Sequence, residues 1–326
     1  MKVAEIELEV LTPMFSYGDN NAEFRITELK SLMRSTFREL YYFKDLNDMK
    51  EKEKKLFGSI EGKSPIIFRI KNIDLKIKKQ CLLPHKKCRE MSCLEGGSKI
   101  IFNINVSNAL SMEFYIVLLM QSSIIGSIGK RSRKGFGSFK INSIKIEGIN
   151  ENKYMSLVEE NLINIFKNQF DCKIHKIRKC EMESGNEVKY SIGFSDLDYP
   201  YIKNVRIVEL KEDKNYLSLI NKISQLTHYR LDENKYKKSF IEEISNNDKI
   251  DKNILGNCKR PINRFASPVC VSFWENNKSK YMIIKELNYN YILKQLSHTG
   301  EIAEKANEDY VNKYIKELIS IGEGKR

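Results

Sequence analysis

Residues 126–139, GSIGKRSRKGFGSF, gather the residue types that bind a sugar–phosphate strand. Lys130, Arg131, Arg133 and Lys134 stand between glycines with no acid among them. Gly129, Gly135 and Gly137 let the backbone turn tightly and come close to a ligand. Phe136 adds a flat face on which a base can stack. Gly and Lys are common in any exposed turn. The density of positive charge from Lys130 to Lys140 nevertheless suits a polyanion better than a single nucleotide. Each phosphate that such a loop neutralises releases counterions, so binding should weaken steeply with salt.

A second cationic row is Lys30, Arg34 and Arg38, spaced i, i+4, i+8 on a helix-patterned segment. On an ideal wheel the row lies about 110° from the centre of the apolar stripe. It can follow a phosphate backbone, or it can be an ordinary solvated flank. If the start of this helix and the glycine-rich loop share one surface, RNA contact is the better reading. In the second half, Arg260 and Arg264 in KRPINRFASP are two further cations, suited either to phosphate or to structural pairing with acids.

Two segments carry metal-like residue types. Cys81, His85, Cys88 and Cys93 lie in a polar stretch between two expected strands, and Cys172, His175 and Cys180 lie further on. Zinc takes thiolate and imidazole ligands, often from closely spaced Cys-x2-Cys pairs. Neither segment has that pair, so free thiols are the expectation and no cofactor is assigned. Acid–base catalysis finds equally little. The first 150 residues hold one histidine, His85, and the first helix holds none. Asp19 could position a ribose hydroxyl, but an Asp in Gly-Asp-Asn is more often a turn residue. No Gly-x4-Gly-Lys-Ser/Thr loop is present. The chain is therefore expected not to be an enzyme.

The elements that must place these residues follow from hydrophobic periodicity. Ile6, Leu8 and Val10 alternate with Glu5, Glu7 and Glu9, which marks a half-buried strand. A helix is predicted over roughly 27–43, buried through Leu29, Leu32, Met33, Phe37, Leu40 and Tyr41, with Thr27 as its cap and a solvated helical continuation over 44–55. Strands follow at 65–77, bent near Asn72, and at 100–106. A helix is predicted from Ser111 to about Ile125, and a strand over 136–146. The order β-α-β-β-α-β is the ferredoxin-like arrangement. The second half predicts helices at 154–170, 217–244, 289–296 and 303–319, and strands at 188–194, 205–208, 269–274 and 281–287. The expectation is an α+β chain of tandem ferredoxin-like, RRM-like domains, 1–149 and 150–326, the second degraded and helix-rich.

Composition bounds the partners. The chain has 326 residues, 41% of them apolar, and a net charge of +13, with the larger cation excess in the first half. That imbalance points to nucleic acid. No apolar run of signal or membrane-spanning length is present, so a cytoplasmic protein with seven reduced cysteines is expected.

Leu11-Thr-Pro-Met-Phe15, Gly18-Asp19, the run from Phe24 to Arg34, Phe37-Arg38, Leu56-Phe-Gly-Ser59 and the 129–138 loop, taken in this order, resemble the RAMP superfamily of CRISPR proteins. More narrowly they are similar to the first RAMP subunit of type III-B (Cmr) effectors. The ordered motifs span about 11–147, and Arg264-Phe-Ala-Ser-Pro268 extends them. The resemblance implies a non-catalytic subunit in antiviral defence. It would bind the 3′ region of a guide RNA (crRNA) and its target RNA duplex beside other RAMP subunits. By the resemblance, Lys30, Arg34, Arg38 and the 129–137 loop would be the RNA contacts, while Arg260 and Arg264 keep the two readings given above. The alternative is a RAMP-type, metal-independent endoribonuclease that processes precursor RNA. Ser35-Thr36, where relatives carry bulky aromatics, and the 81–93 loop depart from the family pattern.

Overall fold

The computed structural model describes residues 1–19, 21–82, 90–146, 177–181, 187–192, 201–211, 215–227, 268–288 and 308–325. The chain is mixed α+β with antiparallel sheets. A four-stranded sheet comes first. Its strands are β1 (Lys2–Val10), β4 (Ile66–Asp74), β7 (Lys99–Val106) and β8 (Phe139–Ile146), in the order β4-β7-β1-β8. The alternation expected in β1 is realised. Ala4, Ile6, Leu8 and Val10 are fully buried, while Glu5, Glu7 and Glu9 face the other side and pair with Lys71, Lys99 and Lys140. The bend expected near Asn72 is a register shift between Ile70 and Asn72.

Helix α1 (Ile26–Leu40) buries Leu29, Met33, Phe37 and Leu40 against this sheet. Its N-cap is Arg25, without a side-chain cap bond, where Thr27 was expected. The 44–55 continuation is instead a separate helix, α2 (Leu46–Phe57). The Asp45 carboxylate caps it by accepting from the Asp48 amide at 2.9 Å. A cap of this kind restarts a helix after an extended break, here Tyr41. Helix α3 (Met112–Ile125) begins at Ser111, whose hydroxyl accepts from the Phe114 amide. It is buried almost all round, because a second sheet covers its far side.

That second sheet contains β9 (Ile177–Glu181), β10 (Glu187–Ile192), β11 (Ile202–Leu210), β12 (Val269–Glu275) and β13 (Lys280–Leu287), in the order β12-β13-β11-β10-β9. It has five strands where the periodicity showed four. The missed one, IRKCE, is too charged to read as a strand. Ile207, Trp274 and Ile283 join the α3 side of the core. Val208, Phe273 and Ile284 face α4 (Tyr216–Thr227) and α5 (Glu308–Glu323). Both faces of β12 and β13 are covered, which explains their nearly unbroken apolar runs. The layers therefore run sheet, helices, sheet, helices. The predicted helices 154–170 and 289–296, and the rest of 217–244 beyond Thr227, lie outside the described residues.

Two small pairings were not expected. β2 (Tyr17–Gly18) pairs with β3 (Asn21–Ala22) across a turn in which Asp19 has φ 44°. Asp19 is thus a left-handed turn residue, as its local sequence suggested. β5 (Ile77–Cys81) pairs with β6 (Glu90–Leu94), and this hairpin carries the cysteine-rich stretch.

Candidate nucleic-acid interface

The glycine-rich loop closes on the Leu11–Phe15 segment. The amide of Lys130 donates to the Phe15 carbonyl at 3.0 Å, and that of Gly137 donates to the Pro13 carbonyl at 3.0 Å. The Thr12 hydroxyl donates to the Gly135 carbonyl at 2.7 Å and accepts from the Ser138 amide at 2.9 Å. Gly129, Gly135 and Gly137 all have positive φ, between 71° and 92°. A Cβ at Gly137 would sit 1.7 Å from the Ile128 carbonyl oxygen. The loop is thus built into the core, not held as a flexible turn. Two of the motifs that read as separate pieces of sequence are one interlocked structure.

The loop also joins the two sheets. The Val271 amide of β12 donates to the Arg133 carbonyl at 3.0 Å, and the Phe273 amide donates to the Ser138 hydroxyl at 3.0 Å. The Ser272 hydroxyl donates to the Ile124 carbonyl at 2.6 Å. Gly135 lies against the Phe273 ring, which a Cβ would meet at 2.4 Å.

Phe136 does not offer a stacking face. It is fully buried and packs edge-on against Phe15, with ring centroids 5.3 Å apart. The chain reverses so tightly at Gly135 and Gly137 that the side chain between them points inward. The loop cations divide into two sets. Lys130 and Arg133 are exposed and line a cleft. Arg131 and Lys134 turn the other way. Arg131 takes φ 58°, and burial lowers its pKa, an effect that nearby Cys81 partly offsets. The Lys134 ammonium lies 5.7 Å from the centre of the Tyr314 ring of α5. Burial, helped by the charges of Arg131 and Arg133 and opposed by Cys270, pulls its pKa from 10.5 down to about 7.

This depression has a testable consequence. Between about pH 7 and 10.5 the unfolded chain holds a proton on Lys134 that the folded chain has released, so folding stability should rise with pH across that window. Lys134→Met removes the contribution. Thermal unfolding midpoints measured from pH 7 to pH 9 should rise less in the variant than in the parent chain.

Lys30, Arg34 and Arg38 are turned away from the loop. The Lys30 ammonium donates to the Ser64 hydroxyl. Arg34 donates to the carbonyls of Phe57 and Gly58, at 3.0 and 2.9 Å, and its guanidinium lies 5.5 Å from the centre of the Phe57 ring. Arg38 grips the Glu53 carboxylate of α2 through two nitrogens, the Nη2–Oε1 contact being 2.6 Å. All three help to hold α2 and the segment after it against α1. The residues of α1 that face the loop are Glu28, Leu32, Ser35 and Glu39, which lie about 120° around the helix from the cationic row. The single surface expected for the row and the loop is therefore not formed. Arg260 and Arg264 lie outside the described residues.

The cleft is the site that the fold creates between these elements, with a volume of about 530 Å³. The chain from Ile125 to Lys130 forms its floor, the Glu28–Glu39 face of α1 one wall, and Cys270, Val271, Lys285 and Leu287 the other. Tyr17 stands at one end, with the Lys130 ammonium 4.5 Å from its ring centre. Lys285 reaches across to Glu39 at 2.6 Å. The α1 wall follows an i, i+4, i+7, i+11 row in which Glu28, Ser35 and Glu39 are polar and Leu32 is apolar. Nothing in the sequence showed that it would face β12 and β13.

Two of the four metal-like residues of the cysteine segment, Cys81 and Cys93, are described. His85 and Cys88 lie outside the described residues. The Cys93 thiol is buried and donates to the Lys78 carbonyl at 3.4 Å, and burial raises its pKa to about 11. Cys81 pairs with Glu90, three positions along the hairpin from Cys93. No group of three or more potential ligands occurs among the described residues. Among them, too, no helix is long and apolar enough to cross a membrane.

The RAMP superfamily profile matches residues 7–140. The matched segment is similar to RAMP-superfamily proteins. It holds α1, the glycine-rich loop and the first sheet as far as the start of β8, and so most of the cleft. The CRISPR system Cmr subunit Cmr1-2 of Pyrococcus furiosus is 25% identical over 183 residues, which cover 44% of this chain and 98% of that relative. The chain also aligns with crystalline Cmr1 from Pyrococcus furiosus in its apo form, at 16% identity over 88% of each chain, with a TM-score of 0.49. A chain of a type III-B Cmr-beta complex, bound to cognate target RNA and AMPPnP, aligns at 11% identity over 97% of this chain and 98% of that one, with a TM-score of 0.49. The resemblance to type III-B Cmr proteins read from the motifs is thus met by the RAMP profile match and by the Cmr1-2 relative.

Proposed function

We propose that the chain is a non-catalytic, cytoplasmic RNA-binding subunit of a type III-B CRISPR effector. It contacts the 3′ region of a guide RNA and its duplex with target RNA, beside neighbouring RAMP subunits. The observation that carries this reading is the placement of Lys130 and Arg133, exposed at a cleft whose floor is glycine-rich backbone. Two cations beside a close-approach backbone suit phosphates, while sequence would be read by base pairing between the RNAs. The RAMP match over the same residues and the Cmr relative support it.

We further infer two ferredoxin-like units that meet near residue 149. In the first, two crossover helices lie on one face of a sheet ordered β4-β7-β1-β8. In the second, β11, α4, β12, β13 and α5 follow the same path, and β10 takes the place beside β11 that a closing strand would occupy.

The test is the double charge reversal Lys130→Glu, Arg133→Glu in the full chain. Affinity for single-stranded RNA should fall, and the slope of log affinity against log salt should flatten by roughly 0.7 for each lost phosphate contact. Unchanged affinity and an unchanged slope would refute the assignment.

A further inference from the structure

The cleft contains two carboxylates on one face of α1, and they differ in one respect. Glu39 is neutralised by Lys285. The Oε2 atom of Glu28 is buried and has no hydrogen-bond partner among the described residues. A carboxylate oxygen can only accept hydrogen bonds, and burying one without a donor is costly. A donor-bearing ligand in the cleft would relieve that cost.

We propose that Glu28 reads the Watson–Crick edge of a guanine, splayed out of a single-stranded stretch of RNA into this cleft. The inference rests on the RNA-binding reading above and adds a base preference to it. The chemistry of RNA recognition and the lining of the site point the same way. Single-stranded RNA is recognised through unstacked bases whose edges are hydrogen-bonded by side chains. Guanine alone among the four bases presents two adjacent donors, N1–H and N2–H, which a carboxylate matches and a cation does not. Leu32, Ile128 and Val271 give the cleft an apolar lining for the ring, and Lys130 and Arg133 stand at the same cleft to take the flanking phosphates. A volume of about 530 Å³ lies within the 300–1,000 Å³ range usual for small-ligand pockets. The chain thus supplies a base-specific acceptor beside sequence-independent cations, which is the division between specifying and positioning contacts.

The experiment measures the affinity of the full chain for uridine-rich 12-mer RNAs that differ at one central position, guanosine, inosine, adenosine or uridine. The parent chain should prefer guanosine over adenosine and uridine by about tenfold. Inosine, which keeps N1–H and lacks the amino group, should fall between them. Glu28→Gln, close in size and shape, should abolish the preference, read as the ratio of guanosine to uridine affinity. Salt-sensitive binding with no preference for guanosine, or a preference that survives Glu28→Gln, overturns this inference and leaves the RNA-binding reading standing. No RNA binding at all overturns both.

Discussion

Gly137→Ala should destabilise the fold by roughly 2–5 kcal/mol, the sum of a left-handed backbone penalty and overpacking. Gly137 has φ 71°, and the new Cβ would lie 1.7 Å from the Ile128 carbonyl oxygen, a backbone atom that cannot swing aside. Relief requires the loop to open. Opening breaks the bond that the Gly137 amide donates to the Pro13 carbonyl and the bond that the Gly137 carbonyl accepts from the Ile128 amide. The loop also hydrogen-bonds to β12, so the damage reaches the second sheet. The control is Gly62→Ala, where the nearest atom to a new Cβ is the Ser59 hydroxyl at 3.9 Å. Urea unfolding followed by circular dichroism separates the two. A Gly137→Ala midpoint as high as that of Gly62→Ala would show that the loop is not held as described.

Lys285→Met is expected to cost about 3 kcal/mol, the usual penalty for removing one partner of a buried ion pair. Lys285 on β13 and Glu39 on α1 have side chains only 8% and 15% exposed, and their contact at 2.6 Å ties the second sheet to the first helix. Burial alone would lower the pKa of Lys285. The negative charge of Glu39, with help from Cys270, outweighs it and holds the pKa above the ordinary 10.5. The pair's contribution is therefore fully present below pH 10.5 and is lost as the pH rises through the folded value. In Lys285→Met the Glu39 carboxylate is stranded in the cleft wall. Replacing both partners, Glu39→Leu with Lys285→Met, should recover most of the loss, because no charge is then buried. A single Lys285→Met variant within 0.5 kcal/mol of the parent chain would show that the pair does not hold the two sheets together.

Much of residues 1–146 was legible because β1 and α1 are amphipathic on one side only. The alternation in β1 and the Leu29–Leu40 stripe of α1 announce both the element and its buried face. Helix α3 was found for the same reason, yet its burial all round was not, since a stripe of Phe114, Val117 and Leu118 does not say that a second layer lies behind it. The β5–β6 hairpin escaped notice because IKKQC carries no apolar alternation, and its exposed edge needs none.

The candidate site was legible in kind but not in arrangement. Four cations and three glycines mark residues 129–137 as a special loop. Which cations face outward depends on backbone angles that Gly129, Gly135 and Gly137 permit but do not impose. The positive φ values at these glycines turn Phe136 into the core, send Lys134 towards Tyr314 and leave Lys130 and Arg133 at the cleft. The row of Lys30, Arg34 and Arg38 went astray for a different reason. Helical periodicity gives the angle between two faces and not what covers each. Glu53, Ser64 and the carbonyls of Phe57 and Gly58 are remote in sequence and meet the row only once α2 has packed.

By itself the sequence determined most element types within residues 1–146, the basic character of the chain and its likeness to RAMP proteins. All three rest on composition and on spacing within single segments. Only the tertiary structure decided that the loop would lock onto Leu11–Phe15, that the second sheet would complete a cleft over α1, and that Glu28 and Glu39 would share its wall. Each of these depends on contacts between distant segments, whose partners a local pattern of side chains cannot name.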